Sequence, residues 1–166
     1  MTAQFREVLF YKGEKMGMAE EPLRPYLNSR EDLQFRSNCS ACWRGYIGNW
    51  KIEDSKLYLI ELKFGFNADD TLEMNDLFPG QDKVFADWFS GEIQIPTGEL
   101  LEYVHMGYAS IYEKDIFLVF INGKLVNEYE VNNREVYNKR MEEEAIQDKK
   151  CSSPKKTWWK RLLSIG

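Results

Sequence analysis

One histidine, three cysteines and scattered carboxylates are the residues of this chain whose side chains could carry out chemistry. Because His105 is the only histidine, a metal site built from several imidazoles is excluded. His105 and Asp87, with Tyr103 and Tyr108 beside them, could form a pocket for a small ligand or a hydrolase-like reaction. The competing interpretation is that His105 is a structural residue. A bulge would then turn the Asp87 carboxylate outward, or an Arg or backbone group would pair with it, because a lone buried carboxylate is costly.

Cys39 and Cys42 have the C-x-x-C spacing of redox and metal sites. A redox thiol pair needs a helix N-terminus that lowers its pKa, whereas this pair precedes a strand-like segment. A zinc site needs further ligands, and only His105 and Cys151 remain to supply them. The chain also lacks a Walker-type phosphate loop and a G-x-G-x-x-G motif. We therefore expect reduced, non-ligating thiols, no metal and no cofactor.

The charge of the chain is distributed unevenly. Residues 1–131 contain 13 Lys and Arg against 22 Asp and Glu, a net charge of −9, whereas residues 149–166 contain six basic residues and no acidic one. An acidic body disfavours nucleic-acid binding and speeds encounter with a basic protein, although solubility alone is the simpler interpretation. We predict that a protein partner binds acidic side chains around a long loop, namely Glu61, Asp69, Asp70, Glu73, Asp76 and Asp82.

Two predicted hairpins give the chain its framework. Lys56–Phe64 returns along residues 43–53, and Lys124–Val131 returns along Asp115–Ile121. The second hairpin turns at Asn122-Gly123, a dipeptide that tolerates positive φ at both positions. A two-residue loop there fixes the register, which pairs Ile121 with Lys124, Val119 with Val126 and Phe117 with Glu128.

The segment Val84–Ile95 has the period-2 alternation of a half-buried strand. The predicted fold is mainly β (α+β), an antiparallel sheet that curls into an open barrel or forms a two-layer meander. We expect a β domain at 1–131, a C-terminal helix at 132–150 and a flexible basic aromatic tail at 151–166. Eight aromatic residues either fill the core or line a ligand cavity: Tyr46, Trp50, Tyr58, Phe85, Trp88, Tyr103, Tyr108 and Tyr112.

The sequence predicts no membrane-spanning helix, because it contains no apolar run of 18 residues. The first residues, MTAQFREVLF, lack the basic and apolar regions of a signal peptide, so a cytoplasmic protein is expected. The tail around Trp158 and Trp159 has the composition of a weak interfacial membrane anchor, or is a flexible end.

Over about residues 5–131, several aromatic and glycine-rich runs of this chain resemble a family of small bacterial proteins. The runs are WRGYIGNW at 43–50, KLYLIEL at 56–62, VFADWFSGEI at 84–93 and YVHMGYASIYE at 103–113. Members of this family have no assigned activity, and in size, acidity and lack of catalytic motifs they resemble the immunity proteins that accompany secreted antibacterial toxins. The resemblance implies a non-enzymatic, cytoplasmic protein that neutralises a toxin by occluding it, and it supplies no catalytic residues.

Overall fold

The computed structural model describes residues 2–30, 39–64 and 74–151. Within these ranges the chain forms eight strands and three helices. The strands are β1 (Glu7–Tyr11), β2 (Glu14–Met18), β3 (Tyr46–Glu53), β4 (Lys56–Phe64), β5 (Val84–Phe85), β6 (Gly91–Glu102), β7 (Ile111–Ile121) and β8 (Lys124–Asn132). The helices are α1 (Arg24–Asn28), α2 (Met74–Leu77) and α3 (Arg134–Cys151).

The strands form one sheet in the order β2-β1-β3-β4-β8-β7-β6, and the short β5 also pairs with β4. The predicted mainly β fold with a C-terminal helix is therefore confirmed. The sheet is mixed rather than purely antiparallel, because β1 and β3 run parallel. It is not closed into a barrel. Parallel neighbouring strands need a long connection between them, and no local turn pattern in the sequence indicates such a connection.

The sheet has two parts. A backbone hydrogen bond from Ala19 N to Gln94 O (2.8 Å) links the end of β2 to β6, and the two parts pair as strands at Lys56 with Lys124. Hydrogen bonds from Leu57 N to Gly123 O (2.9 Å) and from Leu125 N to Ser55 O (2.8 Å) hold this joint. Strands β2, β1, β3 and β4 lie on one side of it, and β8, β7 and β6 lie on the other. Beyond the joint, β8 leaves β4 and runs past the turn between β3 and β4.

The core lies between these two parts. Its fully buried side chains come from both, with Leu9, Trp50 and Leu59 on one side and Ile93, Leu118 and Phe120 on the other. The eight aromatic residues do not share one environment. Tyr46 and Trp50 are buried, Tyr58 contacts Phe85 with ring centroids 5.7 Å apart, and Tyr103 is 62% exposed.

The predicted single strand at Val84–Ile95 is wrong, because it is interrupted by a turn. Strand β5 ends at Phe85, Phe89 N donates to Ala86 O at 3.0 Å, and β6 begins at Gly91. Gly123 N donates to Phe89 O at 2.7 Å, which fixes this turn against the β7–β8 hairpin. The turn buries Phe89 and leaves Asp87 exposed, so an alternating pattern arises without a continuous strand.

The β7–β8 hairpin confirms the predicted turn and corrects its register. Asn122 and Gly123 have φ values of 48° and 73°, and Ile121 lies opposite Lys124. A β-bulge follows, because Val126 is an extra residue between the partners of Phe120 and Val119. The remaining pairs therefore shift, with Val119 opposite Asn127 and Phe117 opposite Tyr129.

The chain divides into two compact units, Met1–Asn133 and Arg134–Gly166. The described part of the second unit is α3, which exposes its apolar side chains Val136, Met141 and Ile146. None of the helices in the described ranges is long and apolar enough to cross a membrane. The predicted tail lies outside the described residues from residue 152 onward.

Candidate functional site

Three of the predicted partner-binding residues, Glu61, Asp76 and Asp82, are exposed around the β4–β5 connection, and we call them the acidic face. Glu61 is on β4, Asp76 on α2 and Asp82 in the loop before β5. The predicted residues Asp69, Asp70 and Glu73 lie outside the described residues.

The acidic face borders an open depression beside β4. The acidic residues Glu61 and Asp82 line this depression. The other lining residues are the apolar Ile60, Leu62 and Met74 and the polar Asn75 and Gln81. The Asn49 side-chain amide donates to Glu61, and the Lys63 ammonium lies 3.6 Å from the same carboxylate. The result is an open depression lined by both acidic and apolar residues, which suits a protein partner better than a small enclosed ligand.

Aromatic contacts hold in place the segment from α2 to β5, which carries Asp76 and Asp82. Phe78 is 5% exposed and stacks on Trp88 with centroids 5.8 Å apart and planes 8° from parallel. Trp88 donates through Nε1 to Pro22 O at 2.9 Å, and Gly80 N donates to Asn75 Oδ1 at 2.9 Å. A partner that binds to a surface held in this way does not have to offset the entropy cost of ordering this segment.

The alternative pocket predicted from Asp87, Tyr103, His105 and Tyr108 is not assembled. Asp87 lies in the turn before β6, whereas His105 lies beyond the other end of that strand. Since β6 has 12 residues, the strand alone separates the two groups by on the order of 30 Å. Tyr103 OH and His105 Nδ1 lie 2.9 Å apart, and both side chains are exposed.

Tyr108 belongs to a different cluster, centred on the buried guanidinium of Arg44. Arg44 donates through Nη1 to Tyr108 OH at 2.7 Å and through Nη2 to Phe5 O at 2.9 Å. Its Nε lies 3.2 Å from Glu7 Oε1, and Nη1 lies 3.7 Å from Glu21 Oε1. Arg44, which precedes β3, therefore contacts residues at β1, in the segment after β2 and in the β6–β7 connection.

Glu7 is the most deeply buried carboxyl group of this cluster, with no exposed surface. Burial raises its pKa from 4.5 to about 8, because desolvation outweighs the attraction of Arg44 and the hydrogen bond from Trp50. Burial likewise raises the pKa of the Tyr108 and Tyr46 hydroxyls. Glu7, Arg44 and Tyr46 are buried, so we interpret the cluster as one that organises the fold.

Sequence reasoning missed this cluster, although two signals pointed to it. Glu7 shares its strand face with Leu9, which places a carboxylate where an apolar side chain is expected. Gly48 lies in the middle of β3, and a Cβ atom there would lie 2.5 Å from both Glu7 Oε2 and Trp50 Nε1. The glycine therefore makes room for a side-chain hydrogen bond between neighbouring strands.

Neither Cys39 nor Cys42 forms a disulfide. Cys42 is buried, its Sγ donates to Tyr46 O at 3.2 Å, and burial raises the pKa of its thiol. In the ranges that the structure covers, no three His, Cys, Asp or Glu side chains are grouped to hold a metal ion. A buried thiol with a raised pKa is a poor nucleophile and a poor ligand.

Comparison with protein-family models, with curated proteins and with solved structures finds no match to this chain.

Proposed function

We propose that this chain is a non-enzymatic protein-binding protein, and specifically an immunity protein that neutralises a basic bacterial toxin domain in the cytoplasm by covering it. The observation that supports the proposal most is the acidic face, where Glu61 and Asp82 border one depression with an apolar lining. A surface that combines acidic and apolar residues has the two kinds of group that protein interfaces use.

The charge of the chain supports the same proposal. A net charge of −9 over residues 1–131 attracts a basic partner over several ångströms and accelerates encounter. The aromatic contacts behind the loop of Asp76 and Asp82 add to this, since a fixed surface loses little entropy on binding. Occlusion needs no catalytic group on the inhibiting protein.

The alternative of a ligand-binding barrel or a hydrolase-like enzyme rested on Asp87 and His105. Proton transfer between two groups needs hydrogen-bond reach, and β6 lies between these two. The separation of Asp87 and His105 therefore argues against a mechanism that uses both.

The test is capture of a partner from the native host with the tagged chain, together with sequencing of the neighbouring genes. We expect one basic protein to co-purify with the parent chain and with a Glu14→Lys control, and a gene for a toxin-like protein to lie beside the gene for this chain. Glu14 is exposed on β2, away from the acidic face. A triple variant with Glu61→Lys, Asp76→Lys and Asp82→Lys should lose the partner. Equal capture by the triple variant and the parent would refute the proposed surface.

A further inference from the structure

Strand β8 has an unpaired edge that the proposed function does not use. On one side β8 pairs with β7 along its whole length, and on the other side it meets β4 only at Lys124. Among the described residues, no strand pairs with the other side of Val126–Val131, which we call the β8 edge. Natural sheets usually shorten, charge or cover such an edge, because its backbone is ready to pair with another chain.

One face of the β8 edge carries the large apolar surfaces of Tyr129 and Val131 together with the polar Asn127. Tyr129 stacks on Phe117 of β7 with centroids 5.0 Å apart and planes 13° from parallel. Val131 and Val126 on the same strand are 39% and 54% exposed. An added strand would extend this face, so side chains on its outer side should be apolar.

The other face of the β8 edge is acidic. Glu128 lies opposite the core residue Leu118, and Glu130 lies opposite Ile116, so both carboxylates share one side of the strand. Glu128 holds the exposed ammonium of Lys12 at 2.8 Å, and Glu130 holds that of Lys114 at 2.9 Å. Exposed pairs of this kind contribute at most about 1 kcal/mol, so a cation from another chain can replace either lysine at little cost.

A second copy of the chain does not fit this edge. In antiparallel pairing about a two-fold axis, the acidic side of one edge meets the acidic side of the other. The two registers with the longest overlap place Glu128 opposite Glu128 or Glu130 of the second copy. Like charges directly opposite each other destabilise a strand pair, so the edge is arranged against self-association.

We propose that the β8 edge binds an extended segment of a partner protein by strand addition, and that this segment alternates apolar with basic residues. Its backbone pairs with Val126–Val131, its basic side chains bind Glu128 and Glu130, and its apolar side chains lie beside Tyr129 and Val131. The β8 edge runs past the β3–β4 turn, whereas the acidic face lies beyond β5 along β4, so the two surfaces are separate.

The test uses a synthetic nine-residue peptide of alternating lysine and valine, acetylated and amidated at its ends. Binding is measured by calorimetry, and its position by amide chemical shifts and hydrogen exchange. We expect the parent chain to bind this peptide with protection of amides in Val126–Val131. A Glu128→Gln/Glu130→Gln variant should bind about tenfold more weakly, because two opposite-charge pairs are lost.

Two controls separate strand addition from simple charge attraction. A peptide N-methylated at alternate residues keeps its charge but cannot pair its backbone, and it should bind at least about tenfold more weakly. A Glu14→Gln/Glu99→Gln variant has the same net charge as the test variant and should bind as the parent does. The proposal is overturned if the parent chain does not bind the peptide, if the N-methylated peptide binds equally well, if the test variant binds as the parent does, or if the parent dimerises through this edge.

Discussion

Trp50 donates through its indole Nε1 to Glu7 Oε2 at 2.5 Å, which joins two fully buried side chains of the parallel strands β1 and β3. Arg44 approaches the other oxygen of the same carboxyl group at 3.2 Å. Two aromatic and glycine-rich runs of the sequence, around residues 43–50 and 103–113, thus meet through the hydrogen bond between Arg44 and Tyr108. Their aromatic and glycine residues serve the fold at this point.

Glu7 predicts a specific dependence of stability on pH. Its pKa in the folded chain is about 8, against 4.5 ordinarily, so the folded chain keeps a proton that the unfolded chain loses as the pH rises from 4.5 to 8. The stabilising contribution is complete below pH 4.5 and is lost as the pH rises through 8. Urea unfolding at pH 5, 6, 7 and 8 should show a falling free energy of unfolding. Glu7→Gln should flatten this decline, and a parent stability that rises across the range would contradict the assignment.

Arg44 should be the most costly side chain of the cluster to remove. Arg44→Ala leaves Tyr108 OH, Phe5 O and the Glu7 carboxyl group without this donor, and should lower the free energy of unfolding by about 2–4 kcal/mol, because each buried polar group left unsatisfied costs about 1–3 kcal/mol. Tyr108→Phe removes only the hydroxyl that contacts Arg44 and should cost about 1 kcal/mol. Chemical denaturation of both variants measures the difference. Equal losses in the two variants would mean that Arg44 does not organise the cluster.

Gly48→Ala tests whether a glycine at this position is required for the hydrogen bond between Trp50 and Glu7. The added Cβ would lie 2.5 Å from two buried side-chain atoms that cannot move freely, so a loss of about 1–3 kcal/mol is expected. Gly17→Ala is the matched control, because its Cβ would meet only the flexible Arg6 side chain at 3.2 Å. Thermal unfolding should show a clear fall in melting temperature for the first variant and little change for the second. An unchanged Gly48→Ala protein would refute the steric argument.

Gly123→Val should destabilise the chain more than an exposed turn position would suggest. The residue has a φ of +73°, and a Cβ there would lie 2.4 Å from the Ala86 carbonyl oxygen, so strain and a backbone clash combine. The loss should exceed the roughly 1–2 kcal/mol expected from the left-handed conformation alone. Gly13→Val has a φ of +82° with open space around it and isolates the conformational part. Equal losses for the two variants in urea unfolding would show that the contact with Ala86 is unimportant.

The elements that the sequence predicted correctly are those determined by residues close together in the chain. Lys56–Phe64 forms β4 with the predicted bounds, and Asn122-Gly123 forms the predicted turn, because the residues within a few positions decide both. The parallel β1–β3 pair was not predictable, since its partners are about forty positions apart and no turn residue marks them. The break at Ala86 was missed because a turn that buries Phe89 keeps the same apolar alternation as a strand.

The site was predictable only in part. Acidic residues flanking a long connection identified Glu61, Asp76 and Asp82 as exposed neighbours of β4, because charge and loop position can be read locally. The set of Asp87, Tyr103, His105 and Tyr108 was grouped by sequence proximity and chemical type. Their separation depends on the course of β6 and on the Arg44 cluster, which are long-range features of the fold.

The most direct test of the central claim is a calorimetric titration of the captured partner with three forms of this chain. The parent and the Glu14→Lys control should bind with affinities within about threefold of each other, because one charge distant from the interface contributes little. The form with Glu61→Lys, Asp76→Lys and Asp82→Lys should bind at least about 100-fold more weakly, since each reversal places like charges across the interface. Equal affinity of the triple variant and the parent would contradict the acidic face as the binding surface.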